Sequence, residues 1–301
     1  MDNLTQFLRI TRPPLLLLAV LLYALGAGVA DYLGTLINWN IFLLGQLWIL
    51  LILVGAFFLY EYFAAIESGP VLTRRAYTGG IGRVGPGALT RTVLLAAGFT
   101  SLAIAASITV LIFQQPGISP GGLIFMGLFV AGALLLVVPP MRLARRGYGE
   151  IITALLLSNL VPALAFMFQT GELHRLLAMT TFPLTFLHLG MILTYELPDY
   201  GADVKYAQQT MMVRVGWESG MRLLNMFLLV AYLILGLAMV FGMSTTLGIP
   251  GFLTFPLAAF QIYLISRIAA GSRPNWRILL FVGAAIYWLT AYLIMFAVWT
   301  R

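Results

Sequence analysis

Read for hydropathy alone, the chain is a succession of long apolar runs separated by short polar stretches. Runs long enough to cross about 30 Å of hydrocarbon lie near residues 14–32, 41–63, 90–113, 121–138, 151–170, 177–195, 221–243, 249–268 and 278–299. Pro162, Pro183 and Pro256 interrupt three of them. Membrane helices tolerate such breaks where neighbouring groups satisfy the freed carbonyls. The pattern predicts an all-α, polytopic integral membrane protein of about nine transmembrane helices. The opening segment, with Arg9, Arg12, an apolar run and Gly28-Val29-Ala30, has the outline of a leader peptide. It reads instead as the first membrane helix, because an even number of crossings would blur the charge division described next.

Composition sharpens this picture. Of 301 residues 61% are hydrophobic and 9% charged, with a mean hydropathy of +0.98, so lipid must solvate most of the surface. The net charge of +7 does not point to nucleic acid, since the 17 basic residues sit in short clusters between apolar runs. With nine crossings, Arg9, Arg12, Arg74, Arg75, Arg83, Arg91, Arg142, Arg145, Arg146, Lys205, Arg214, Arg222, Arg267, Arg273 and Arg277 share one side, and only Arg175 and Arg301 lie on the other. That bias puts the N-terminus in the cytoplasm of a multi-pass cell-membrane protein. There is no cysteine, hence no disulfide, thiolate metal site or cysteine nucleophile. No linker or low-complexity tract divides the chain, which reads as one transmembrane domain over 1–301.

The acids cluster on the basic side. One group closes the second run, with Glu61 in Tyr60-Glu61-Tyr62-Phe63-Ala64 and Glu67 beyond it. The other closes the sixth, as Glu196, Asp199 and Asp203. If that segment stays helical, Asp199 and Asp203 share a face with Glu196 one turn earlier. Carboxylates stacked at a membrane surface repel unless a cation sits between them, and Mg2+ bridging to an anionic phosphate satisfies that need. The competing view is a solvated helix end. Arg74, Arg75, Arg83, Lys205, Arg214 and the turn Thr78-Gly79-Gly80-Ile81-Gly82 surround the acids; most of the basic residues are also explained by membrane orientation. His188, in mid-run, reads as a packed, hydrogen-bonded histidine rather than a proton carrier, and Ser158 and Asn159 as polar groups bonding across helices.

At these residues the chain resembles the UbiA superfamily of membrane prenyltransferases, nearest the branch that prenylates 1,4-dihydroxy-2-naphthoate in menaquinone synthesis. The likeness runs through Arg9-Ile10-Thr11-Arg12-Pro13, the Gly-rich turn at 78–82, Pro139-Pro140, Arg146-Gly147-Tyr148-Gly149-Glu150 and Gln169-Thr170-Gly171. Its most specific part is Asp199-Tyr200-Gly201-Ala202-Asp203 with Thr210, Arg214 and Gly216, where Gln208-Gln209 replaces a Lys-Arg pair. The first motif departs further: where the family writes Asn-Asp-x-x-Asp, only Glu61 keeps a carboxylate.

The resemblance implies helices around a central cavity, the loops after helices two and six packed over it, and a Mg2+-dependent transfer from an allylic isoprenoid diphosphate to an aromatic or quinone-precursor acceptor. Asp199, Asp203 and Glu61 would be catalytic. Glu61, Glu67, Glu196, Asp199 and Asp203 would hold metal, and Arg74, Lys205, Gln208 and Arg214 would contact the diphosphate. The alternative is a catalytically impaired relative that binds an isoprenoid or quinone, as a subunit of a membrane complex.

Overall fold

The structure, a computed structural model, describes residues 3–67, 89–115 and 118–300. Among these residues nine helices are long and apolar enough to cross a membrane: Pro13–Tyr32, Trp39–Ala64, Arg91–Phe113, Pro120–Val137, Gly149–Thr170, Arg175–Lys205, Trp217–Val240, Thr245–Ala269 and Trp276–Trp299. No strand occurs among them. The all-α, nine-helix reading of the hydropathy pattern therefore holds, with most ends displaced by a few residues.

Local chemistry sets those ends. Pro13 opens the first span where a missing N–H costs nothing, and Pro120 does the same for the fourth. Thr90 and Ser119 cap the third and fourth spans, accepting from the amides of Val93 at 3.4 Å and Gly122 at 3.2 Å.

The spans close on one another. The first packs against the fifth and ninth, the ninth against the sixth, the sixth against the seventh, and the second against the third. Gly26 permits the first contact: a Cβ there would stand 2.0 Å from the carbonyl oxygen of Pro162. The ninth is pinned to the first by Trp299, whose indole N–H donates to the carbonyl of Ala24 at 2.9 Å. The sixth span is the most enclosed, with 78% of its apolar window buried, against 28% for the third and fourth. The latter two therefore present most of their surface to lipid.

Three spans are broken in ways that matter for the site. Pro162 has no N–H to offer the carbonyl of Ser158, and the fifth span widens there into a π turn at Leu156–Leu160. The sixth runs past Glu196 through a 3-10 turn, Leu197–Asp199, into Tyr200–Lys205. The eighth divides into Thr245–Phe252 and Phe255–Ala269.

The expected packing of two loops over the cavity concerns, on one side, residues 68–88, which lie outside the described residues. The loop after the sixth span meets the loop after the fourth. Arg146 and Gln209 form an isolated bridge, Arg214 donates from Nη1 to the carbonyl of Arg146 at 2.9 Å, and its guanidinium lies 4.3 Å from the centre of the Tyr148 ring. Gly147, at φ 68°, leaves room for the Arg214 side chain, which a Cβ would meet at 2.2 Å.

Candidate functional site

A cavity of about 130 Å3 opens among the first, second, fourth, fifth and sixth spans. That is on the order of the space that admits one benzene ring in an apolar protein interior. Chain position divides its wall. Arg12, Tyr60, Arg145, Glu150, Glu196 and Gln208 to Thr210 all come from span ends or loops on the basic side, and they form a polar mouth. Leu53, Leu156, Leu157 and Ile192 come from deeper turns and form an aliphatic body, into which His188 alone among the cavity's deep residues brings an ionisable side chain.

At the mouth, Arg12 precedes Pro13, a position where right-handed helical backbone is disfavoured, and it takes φ 49°. Its Nη2 pairs with Oε1 of Glu61 at 3.4 Å, both side chains being at most one-tenth exposed. The guanidinium also lies over the rings of Phe57 and Tyr60, at 5.2 and 5.0 Å from their centres. A buried carboxylate and two aromatic side chains of the cavity wall thus hold one buried cation.

Across the mouth, the short helix Met211–Val215 presents its first amides to groups from three elements. The amide of Met211 donates to Oε1 of Glu150 at 3.1 Å, that of Met212 to Oε2 of Glu196 at 3.0 Å, and that of Val213 to Oγ1 of Thr210 at 3.3 Å. Those N–H groups have no partner inside the helix, so two acids from neighbouring spans act as its caps. Asp203 is an acidic neighbour of Glu196 and is itself buried.

The residues singled out from sequence fall into several places. Glu61 is in the mouth but engaged with Arg12. Glu196 lines the cavity and caps a helix. Gln208 lines the cavity. Asp199 and Asp203 stand one and two turns beyond Glu196 and are not part of the cavity wall. Lys205 is exposed, its Nζ 5.5 Å from the ring of Tyr206, and Arg214 ties two loops together. Arg74 and the turn at 78–82 lie outside the described residues, as does the side chain of Glu67. Sequence reasoning missed Arg12, Arg145 and Glu150 as parts of one site. The signal available was their common position at span ends on the basic side.

The donor set can be tested against Mg2+. Among the described residues no group of three or more His, Asp or Glu is placed to hold a metal ion. Glu61 faces a guanidinium, and Glu150 and Glu196 each spend an oxygen on a backbone amide. Glu61, Glu150 and Glu196, engaged in this way, do not make up a Mg2+ centre.

No protein-family model matches the sequence, and no curated protein matches it. Solved structures do match in fold. A UbiA homolog from Archaeoglobus fulgidus bound to GPP and Mg2+ aligns over 98% of this chain and 100% of its own, at a TM-score of 0.65 and 17% identity. A UbiA homolog from that organism bound to DMAPP and Mg2+ aligns at a TM-score of 0.62 and 16% identity, covering 98% of this chain and 99% of its own. A UbiA homolog from that organism bound to Cd2+ aligns at 0.60 and 15%, covering 96% of this chain and 99% of its own. The chain has the fold of these UbiA homologs from end to end.

Proposed function

We propose that this protein is a membrane prenyltransferase that takes an allylic isoprenoid diphosphate and passes its chain to an aromatic or quinone-precursor acceptor. The observation that carries the reading is the cavity itself, with arginine at the mouth and aliphatic wall below. A prenyl diphosphate has the matching polarity: a multiply charged anionic head that needs cations and a tail that needs lipid-like surroundings. The fold similarity supports it, because the A. fulgidus homologs hold GPP or DMAPP with Mg2+.

In the proposed reaction the allylic C–O bond breaks, the diphosphate leaves with the bonding pair, a ring carbon forms the new C–C bond, and the ring loses a proton. Arg12 and Arg145 would neutralise the leaving diphosphate. The wall around Leu53, Leu136 and Leu156 would keep water from the allylic cation, and the faces of Phe57 and Tyr60 would lie near that charge. The naphthoate branch, which the sequence resembles most, supplies the acceptor class. The chain forms one transmembrane domain over 1–301, with the N-terminus and the mouth on the cytoplasmic side, where the basic residues gather.

One observation favours a second reading. Glu61, the surviving acid of the first motif, is paired with Arg12 rather than open to a metal. That arrangement suits a protein that binds an isoprenoid or quinone without turning it over, as a subunit of a larger complex. Incubation of the purified protein with labelled geranyl diphosphate, Mg2+ and a panel of hydroxylated aromatic acids separates the two. Prenylated product supports the transferase; saturable binding with no product supports the binding subunit.

A further inference from the structure

The deep end of the cavity contains a polar cluster that the prenyl chain does not need. His188 sits in the sixth span and is fully buried. Its Nδ1 lies 3.0 Å from Oγ of Ser158 and 3.3 Å from the hydroxyl of Tyr287, and those two hydroxyls are 2.7 Å apart. The imidazole stacks on the Tyr287 ring, with centres 4.6 Å apart and planes 15° from parallel. Ser158 reaches it from the π turn before Pro162. One side of the imidazole is therefore fixed by three elements packed against one another.

The other side is different. Nε2 of His188 is buried and has no hydrogen-bond partner, and His188 forms part of the cavity wall. An unmade hydrogen bond in a lipid-embedded interior costs free energy, and such a group is retained where something completes it. The partner must suit the surroundings. Positions 188 to 196 put His188 eight residues below Glu196 on the same span, about 12 Å at the helical rise. At that depth, among Leu156, Leu157 and Ile192, a diphosphate or carboxylate would lose its hydration without a counter-charge. A neutral oxygen on an apolar ring loses little.

We propose that the floor of the cavity binds a neutral aromatic ring through a hydroxyl or carbonyl oxygen that hydrogen-bonds Nε2 of His188. The rotatable hydroxyls of Ser158 and Tyr287 can each either donate to Nδ1 or accept from it. Nε2 then serves as donor to a carbonyl or acceptor from a hydroxyl, with the imidazole neutral throughout. The site thereby accepts phenol and quinone forms of one ring system. This deepens the proposed function, resting on its reading of the cavity as a ligand site, by naming the residue and atom that hold the ring-bearing partner. It makes His188 a positioning and specificity residue for that ring.

The test uses the 301-residue chain in lipid nanodiscs with three probes of one shape: naphthalene, 1-naphthol and 1,4-naphthoquinone. No diphosphate is present, so the outcome is independent of whether prenyl transfer occurs. The oxygenated rings are expected to bind about tenfold more tightly than naphthalene, the size of one buried hydrogen bond. His188→Leu should abolish that preference while leaving naphthalene binding in place. The chain has two histidines, His174 and His188, so 15N-histidine labelling gives two resolvable rings. The Nε2 signal of His188 should shift on adding 1-naphthol while that of exposed His174 stays still, a readout that stands even if His188→Leu does not fold. Equal binding of all three probes, a preference surviving in folded His188→Leu, or an unmoved His188 signal under saturating 1-naphthol would overturn the proposal.

Discussion

At the scale of single residues, the Arg12–Glu61 pair is the point where this chain's chemistry departs from what its sequence resembles. The pair links residues 49 positions apart, with both charges nearly out of water. Removing one partner of such a pair costs about 3 to 5 kcal/mol, because the other charge is left buried and uncompensated. Thermal unfolding should show Glu61→Ala losing stability on that order, with Arg12→Met in the Glu61→Ala background restoring part of it. Additive losses in the double variant would mean that the two groups do not act as a pair. The sequence displayed Glu61 as an acid of a degenerate motif and Arg12 as part of an opening Arg-Pro turn. Their partnership was not legible, since it depends on a left-handed residue before Pro13 and on two helices meeting, neither of which leaves a periodic trace.

At the scale of elements, the short helix Met211–Val215 is held over the mouth by caps from outside itself. Glu150 opens the fifth span and Glu196 nears the end of the sixth, so this helix couples two spans to the strip at 208–210. Glu150→Ala should cost about 1 to 2 kcal/mol and raise amide exchange over 206–216, whereas Glu150→Gln, which keeps an acceptor oxygen, should cost less. Equal exchange in wild type and Glu150→Ala would remove the capping role. The first and fifth spans make a second element-scale case. Gly26→Val would drive a branched side chain into the backbone at Pro162, and the expected outcome is loss of folded protein during detergent extraction.

The elements themselves were largely readable in the sequence. An apolar run must become a helix in lipid, so the run near 41–63 emerges as Trp39–Ala64 and the one near 278–299 as Trp276–Trp299. Continuation was harder. The sixth run appeared to end at 195, yet its helix carries on to Lys205, because Pro198 tightens one turn without reversing the chain. Pro162 was visible as an interruption, but not the π turn that brings Ser158 to His188. The candidate acids were visible too, but which of them line a cavity depends on how helix ends converge, and composition is silent on that.

At the scale of the whole molecule, the nine spans place the mouth of the cavity on the side that holds nearly all the arginine. The Cys-free chain makes this orientation measurable with single introduced cysteines. Leu36→Cys and Glu172→Cys, on exposed loops of one side, should react with an impermeant maleimide on intact cells. Ala207→Cys and Arg273→Cys should react only after permeabilisation. The reverse pattern would invert the protein and move the mouth away from the cytoplasmic supply of diphosphates.

The central claim is that a cationic mouth over an apolar cavity receives an isoprenoid diphosphate, with Arg12 as the cation that meets it. Equilibrium binding of labelled geranyl diphosphate to the protein in nanodiscs tests this most directly, comparing wild type with Arg12→Met. Saturable binding that weakens by about ten- to a hundredfold in folded Arg12→Met is the expected result, the loss of a charge-assisted hydrogen bond to phosphate. Absence of saturable binding by wild type, or equal affinity in the two proteins, would contradict it.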